Sequence, residues 1–210
     1  MKRSLLALTL LAALPALSLS AAASAAEGLS YNYIEGGYVA TNLDNDNGDI
    51  DADGWGVNGS IALHPNFHLF AGFSGQESDD FGFLGSRVET DVNQWRAGLG
   101  YNHPIATQAD LIARVAYEKF EVDDITVNGQ RFDVNEGDDG YSAEVGVRGA
   151  LTQNFEGYAT AGYEDFGDNA DDFYGRVGAQ VKFNQNWGVS GDVKFSDGDT
   201  QWFVGPRFSW

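Results

Sequence analysis

The chain has 210 residues, with 31 acidic and 12 basic side chains and a formal net charge of −19. An acidic excess of this size disfavours nucleic acid as a partner, because nucleic-acid phosphates attract basic surfaces. The chain contains no cysteine, so an exported form of it must hold its fold without disulfides.

The start of the chain predicts a secretory signal peptide over residues 1–26. A short basic region is followed by an apolar run from Leu5 to Leu19 and then by small residues. Residues 23–25 and residues 24–26 both fit the small-residue pattern that a signal peptidase accepts. A permanent membrane helix would need about 20 apolar residues. We therefore expect the mature chain to start near Glu27.

The remaining residues, 27–210, are predicted to form one domain made of β-strands. Apolar residues recur there at every second position, while the residues between them are small or charged. Four short turns alternate with five longer loops, and together they separate ten strands; eight result if two hairpins are misread. The ten strands are predicted at about 29–43, 55–63, 67–75, 88–101, 110–120, 140–151, 155–164, 173–183, 187–195 and 200–210.

This alternation is typical of a barrel that crosses a membrane. No segment after the signal peptide approaches a transmembrane helix, and strands cross a membrane only as a closed barrel. In such a barrel the apolar face meets lipid and the charged face lines or fills the interior. A soluble antiparallel sheet also alternates, but it would need further sheets to cover this much apolar face. We therefore predict an all-β fold, a closed antiparallel up-and-down transmembrane β-barrel.

The last strand, "TQWFVGPRFSW", places Trp202, Val204, Phe208 and Trp210 on one face. We predict that this strand closes the barrel and that its outward stripe contacts lipid. We further predict that Phe208 and Trp210 form the membrane insertion signal.

The stretches "GLSYNYIEGGYVATNLD" and "VGPRFSW", with the alternation between them, resemble small outer-membrane β-barrel proteins of Gram-negative bacteria. The resemblance is to the OmpA-like and opacity-porin group, and most closely to the family called Ax-twenty-one. It covers the whole of residues 27–210 and implies a barrel in the outer membrane. The implied partners are outer-membrane lipid, lipopolysaccharide and, during biogenesis, the barrel-assembly machinery. Most such barrels end in Phe, whereas this chain ends in Trp.

The inward face of the predicted barrel carries charges of both signs. Buried charges must be paired, so one interpretation is a salt-bridged plug of the lumen. The other is a narrow pore whose charged lining sets ion selectivity. The candidate lumen network comprises Arg96, Arg114, Glu118, Glu144, Arg148, Glu156, Arg176, Lys182, Asp192 and Arg207.

One acidic loop is a candidate for binding divalent cations. Asp49, Asp51 and Asp53 alternate as in the first half of an EF-hand loop, but the twelfth position is Ser60 instead of a bidentate acid. A loose cation site and a solvated acidic loop therefore remain as alternatives. The five long loops, taken as residues 44–54, 75–87, 121–139, 164–172 and 196–200, hold 22 of the 31 acidic residues. Carboxylates there can join the divalent ions that bridge lipopolysaccharide phosphates.

The sequence predicts no enzyme and no cofactor beyond loosely bound divalent cations. His64, His68 and His103 fall at the short-turn end of the barrel, and no serine-centred or cysteine motif accompanies them. We predict a non-enzymatic outer-membrane barrel with acidic extracellular loops and a structural or surface-interaction role. One alternative is a small porin with a narrow charged pore. Another is a secreted soluble β-protein that binds a partner.

Overall fold

The computed structural model describes residues 25–43, 50–78, 81–83, 86–128, 130–167 and 171–210. Residues 1–24, which hold nearly all of the predicted signal peptide, lie outside this part. No helix in the described residues is long and apolar enough to span a membrane. The described residues form eleven strands: β1 Tyr33–Leu43, β2 Ile50–His64, β3 Phe67–Ser78, β4 Phe81–Phe83, β5 Ser86–Ala106, β6 Ala109–Val127, β7 Gln130–Thr152, β8 Phe155–Asp165, β9 Asp171–Lys182, β10 Trp187–Phe195 and β11 Asp199–Ser209.

Ten of these strands close into an antiparallel barrel. Chain neighbours pair with each other, β3 pairs with β5, and the first strand pairs with the last. The three-residue strand β4 pairs only with the beginning of β5 and stays outside the ring. The predicted closed ten-stranded antiparallel barrel is confirmed.

The two ends of the barrel differ. At one end, here called the turn end, short turns at 65–66, 107–108 and 153–154 join neighbouring strands. At the other end, the loop end, β5, β6 and β7 are longer than their neighbours. They have 21, 19 and 23 residues, against 11 in β1 and 9 in β10. Their extra length forms the loop-end sheet, which comprises residues 88–92, 119–127 and 130–139.

Several predicted boundaries were wrong. Residues 50–54, expected in the loop that holds Asp51 and Asp53, begin β2, and the loop expected over residues 75–87 contains the end of β3, the whole of β4 and the start of β5. Residues 121–139 were expected to be a loop, but most of them continue β6 and β7. The turn between these strands includes Asn128, whose φ of 51° is the left-handed conformation that tight hairpin turns require. Residues 102–108 were expected to be a turn, but β5 continues to Ala106 with an irregularity after Pro104. The first strand begins at Tyr33, not at residue 29.

The outward face forms an apolar belt bordered by aromatic rings. Phe73 packs against Trp95 towards the loop end, with ring centroids 4.3 Å apart, and Trp187 packs against Phe208 at the turn end, 4.9 Å apart. Trp202 on β11 and Trp210, directly after β11, mark the two borders of the belt, and both are exposed. Eight residues of a strand tilted by about 40° span about 20 Å, close to the apolar band of about 25 Å in such barrels.

The seam between β1 and β11 depends on two glycines. A Cβ atom on Gly37 would lie 2.1 Å from the carbonyl oxygen of Val204, and one on Gly205 would lie 2.1 Å from that of Gly36. Backbone atoms cannot move aside as a flexible side chain can. The first and last strands therefore approach each other at a point where only glycine fits.

Replacing Val145 with arginine tests the assignment of the outward face. Val145 lies on β7 in the middle of the belt and is 47% exposed. A charge at mid-depth in lipid should lower the free energy of unfolding by about 2–4 kcal/mol, measured by reversible urea unfolding in lipid vesicles. Phe132→Arg is the control, because Phe132 is exposed in the loop-end sheet beyond the belt, and it should cost less than about 0.5 kcal/mol. Equal losses would contradict the assignment.

Candidate functional site: the charged barrel interior

The structure places all ten predicted interior residues on the inward face of the barrel. Three arginine–acid pairs lie directly opposite each other on neighbouring strands, and the others connect residues offset along the strands. Glu35, Glu164 and Lys194 join the set. The pairs are Arg96–Glu118 (3.5 Å), Arg114–Glu144 (2.5 Å), Arg148–Glu156 (2.6 Å), Arg176–Asp192 (3.3 Å), Lys194–Glu164 (2.6 Å), Arg207–Glu35 (3.7 Å) and Lys182–Glu156.

Neutral side chains complete the surroundings of these charges. The hydroxyl of Tyr174 donates a hydrogen bond to Glu144 at 3.0 Å, and that of Ser190 donates to Glu35 at 2.7 Å. The guanidinium groups of Arg96 and Arg114 lie 5.3 and 5.6 Å from the centroid of the Phe70 ring. Cations over an aromatic face are stabilised when water is excluded. The interior is therefore a packed polar core in which acids and bases compensate each other.

Little space remains between these side chains. A cavity of about 50 Å³ lies between Tyr31, Glu35, Arg148, Glu156 and Arg207, among others. A water molecule needs about 10–15 Å³ of such space, so this cavity suits a few waters and is too small for a sugar or an amino acid. The barrel has only two strands more than the eight-stranded barrels whose interiors side chains just fill.

Residues 25–32, here called the N-terminal segment, cover the turn end of the barrel. The Tyr31 ring is buried and stacks on His68 with centroids 4.5 Å apart, and the Arg148 guanidinium lies 4.9 Å from it. The Tyr31 hydroxyl donates to Asp110 at 2.9 Å. Lys182 donates to the carbonyl oxygen of Gly28. Residues 25–26 were expected to end the signal peptide, residues 29–32 to begin the first strand, and His68 to lie at the barrel rim. Instead, residues 29–32 precede β1, and Tyr31 and His68 are buried in the mouth.

Two of the three candidate cation ligands, Asp51 and Asp53, lie on the outside of the barrel. Asp51 and Asp53 are exposed on β2, on the same face as Trp55, and Asp51 accepts a hydrogen bond from the Asn42 amide at 2.5 Å. Asp49 lies outside the described residues. Within the part of the chain that the structure describes, no group of three or more histidine, aspartate or glutamate side chains is arranged to hold a metal ion. The loose cation site stays a prediction.

The terminal aromatic residues lie at the turn-end border of the belt. Phe208 packs against Trp187, and the backbone amide of Trp210 donates to the carbonyl oxygen of Asn32 at 3.2 Å. Their role as an insertion signal stays a prediction. A Phe208→Ala/Trp210→Ala variant tests this role. Its amount in isolated outer membranes should fall well below that of the wild type, whereas the amount of Trp202→Ala, a control on the same face, should not.

Comparison with known proteins assigns the fold to a family. Residues 9–176 match the family described as Outer membrane protein beta-barrel domain. The chain belongs to this family. The barrel therefore lies in the outer membrane, among lipid and lipopolysaccharide. Short turns face the periplasm in such barrels, so the turn end is the periplasmic end and the loop end is the extracellular end.

Solved structures share this fold at low sequence identity. The translocator domain of the autotransporter NalP from Neisseria meningitidis is 13% identical, with 99% of this chain and 95% of that chain covered and a TM-score of 0.52. The transport unit of the autotransporter AIDA-I from Escherichia coli is 11% identical, with 98% and 97% covered and a TM-score of 0.50. The attachment invasion locus protein Ail of Yersinia pestis is 13% identical, with 86% and 100% covered and a TM-score of 0.44.

No curated protein matches the chain. The two autotransporter barrels, at 11–13% identity, show the fold alone. The narrower resemblance to the family called Ax-twenty-one is not confirmed by these matches.

Replacing Arg148 with alanine tests whether the interior is packed and dry. The variant leaves Glu156 with Lys182 as its remaining cation and uncovers the Tyr31 ring. Breaking a buried pair usually costs about 3–5 kcal/mol, and we expect about 3 kcal/mol here because Lys182 stays. The measurement is urea unfolding in lipid vesicles. Lys119→Ala, which breaks the exposed pair with Glu121, is the control and should leave stability unchanged. If the two variants unfold alike, the interior is solvated.

Proposed function

We propose that this protein is a non-enzymatic outer-membrane barrel with a closed lumen that acts through its outer surface and its loop-end sheet. The observation that supports this proposal is the filled interior. Ion pairs cross it, the N-terminal segment covers its periplasmic mouth, and the cavity among Tyr31, Arg148 and Glu156 measures about 50 Å³. A solute has no continuous water-filled path through such an interior.

The positions of the histidines argue against hydrolytic chemistry at the extracellular side. His68 is buried against Tyr31, and His64 and His103 lie close to the periplasmic turns. A hydrolytic site needs a base within hydrogen-bond reach of a nucleophile or an activated water. None of these rings lies near lipopolysaccharide or the loop-end sheet, where a surface enzyme would meet its substrate.

Conductance measurements test the closed lumen. Purified protein in planar lipid bilayers should show no steady channels, because the paired side chains leave no continuous water column. An open porin reconstituted in the same bilayers is the positive control for detection. Stable, ion-selective channels from the unmodified protein would overturn the proposal and favour the small-porin alternative.

The acidic surface suits contact with lipopolysaccharide through divalent cations. Asp51 and Asp53 point outward immediately beyond Trp55, which is part of the loop-end aromatic border. In the outer leaflet this is the level of the lipid headgroups, whose phosphates are bridged by divalent ions. Mg²⁺ and Ca²⁺ take oxygen ligands, and two carboxylates can complete a coordination shell that phosphates begin. We therefore propose that these acids share cations with lipopolysaccharide.

The loop-end sheet carries further acidic side chains, at a greater distance from the membrane than Asp51 and Asp53. Arg131 donates to the carboxylate of Asp124 there, and this bond holds the pKa of Asp124 below its usual range. The remaining exposed carboxylates include Asp138 and Asp139. They give the sheet a negative surface, which suits a cationic partner.

A pair of matched variants tests the cation-mediated contact. Mg²⁺ should increase the binding of purified lipopolysaccharide to the wild-type protein in detergent, and Asp51→Asn/Asp53→Asn should remove most of that increase. Asp138→Asn/Asp139→Asn changes the net charge by the same amount, but in the loop-end sheet. This variant should keep the Mg²⁺-dependent increase in binding. Equal losses in both variants would mean that net charge alone controls binding.

A further inference from the structure

Asp110 differs from the other buried acids of the barrel. Its carboxylate is fully buried, with 0% of the residue exposed. Among the described residues, each of the other buried acids lies within ion-pair distance of a basic side chain: Glu35, Glu118, Asp124, Glu144, Glu156 and Glu164. No such partner is found for Asp110 in that part of the chain.

The basic side chains around Asp110 are directed elsewhere, and the His103 ring stacks on Tyr101. Arg148 lies opposite Asp110 in the register of β6 and β7, but its guanidinium binds Glu156 and lies over the Tyr31 ring. The donors to Asp110 are neutral. They are the Tyr31 hydroxyl at 2.9 Å and the backbone nitrogen of Ala26 at 3.1 Å. An isolated buried carboxylate is costly, so a cation at one of these two donor positions would compensate it.

Only the nitrogen of Ala26 can become such a cation. Residues 23–25 read Ala-Ser-Ala, one of the two patterns that a signal peptidase accepts. Hydrolysis of the next peptide bond adds water across it. The carbonyl carbon of Ala25 becomes a carboxylate, and the nitrogen of Ala26 becomes an ammonium group with three N–H donors. That nitrogen already lies at hydrogen-bond distance from Asp110.

We propose that the signal peptide is removed between Ala25 and Ala26, and that Asp110 is the binding site for the α-ammonium group of Ala26. The charged pair anchors the N-terminal segment in the periplasmic mouth of the barrel. The side chain of Ala26 is small enough to be buried there, and it is 5% exposed.

The alternative processing position leads to a different arrangement. Removal after Ala26 would make the nitrogen of Glu27 the terminus, and this nitrogen faces the neutral carbonyl oxygen of Thr107 at 2.9 Å. Asp110 would then lose one of its two donors and gain no cation. The mature chains from the two processing positions therefore differ in mass by one alanine. Their terminal amines also have different partners.

The first measurement is the mass of the mature protein. The full chain is expressed in a Gram-negative host, and the barrel is purified from outer membranes. Intact mass and N-terminal peptide sequencing should give a chain of residues 26–210. A chain that begins at Glu27, at another residue or at Met1 would overturn the proposal.

The second measurement is the reactivity of the terminal amine towards an amine-acylating reagent. Lys119, whose side chain is 43% exposed, serves as the internal reference. In the folded barrel the α-amine should react at least about tenfold more slowly, relative to Lys119, than after unfolding, because a paired ammonium is protonated and shielded. If the folded and unfolded proteins react alike, the pairing is wrong.

Two variants separate pairing from simple burial. Asp110→Asn removes the charge and keeps an oxygen acceptor, and it should restore most of the lost reactivity. Tyr31→Phe removes the other donor to Asp110 and keeps the charge, so the amine should stay protected. If Asp110→Asn does not assemble, Asp110→Glu displaces the carboxylate by one methylene and should raise the rate several-fold. Protection that persists in either Asp110 variant would overturn the proposal.

Discussion

Backbone hydrogen bonding in the absence of water constrains the rest of this structure. Within hydrocarbon, each unpaired amide or carbonyl group costs several kcal/mol, so a sheet there must have no free edge. The pairings of β3 with β5 and of β1 with β11 remove the edges. Once the sheet is closed, alternate side chains must point either to lipid or into the interior. The apolar belt and the charged core are therefore two consequences of one closure.

The charged core in turn helps to define how the strands align. Arg96 faces Glu118 across β5 and β6, and Arg114 faces Glu144 across β6 and β7. A slip of one residue would turn these side chains outward, and a slip of two would separate the partners. Breaking a buried pair costs far more than breaking an exposed one. The interior pairs thus stabilise the observed strand register relative to registers shifted by one or two residues.

The strands and their faces could be predicted from the sequence because lipid and core impose a strict period of two. That signal weakens where both faces of a strand meet water, which is why residues 121–139 were interpreted as a loop. The Asn-Gly pair at residues 128–129, with Ile125 and Val127 before it and Phe132 and Val134 after it, was the available signal for a hairpin. Which interior side chains pair with each other depends on strand register and on contacts between residues far apart in the sequence. Nothing local in the sequence connects Tyr31 or Ala26 with Asp110, so the cover of the periplasmic mouth could not be predicted.

The unequal lengths of the strands have a practical consequence for engineering. The tip of the β6–β7 hairpin stands away from the membrane, and its two strands are hydrogen-bonded to each other down to the barrel wall. A peptide inserted at that tip would lengthen only the connection between strands that are already held together. Each doubling of a flexible loop adds only about 0.6 kcal/mol of closure entropy. The hairpin is therefore a suitable carrier for displaying foreign epitopes on a bacterial surface.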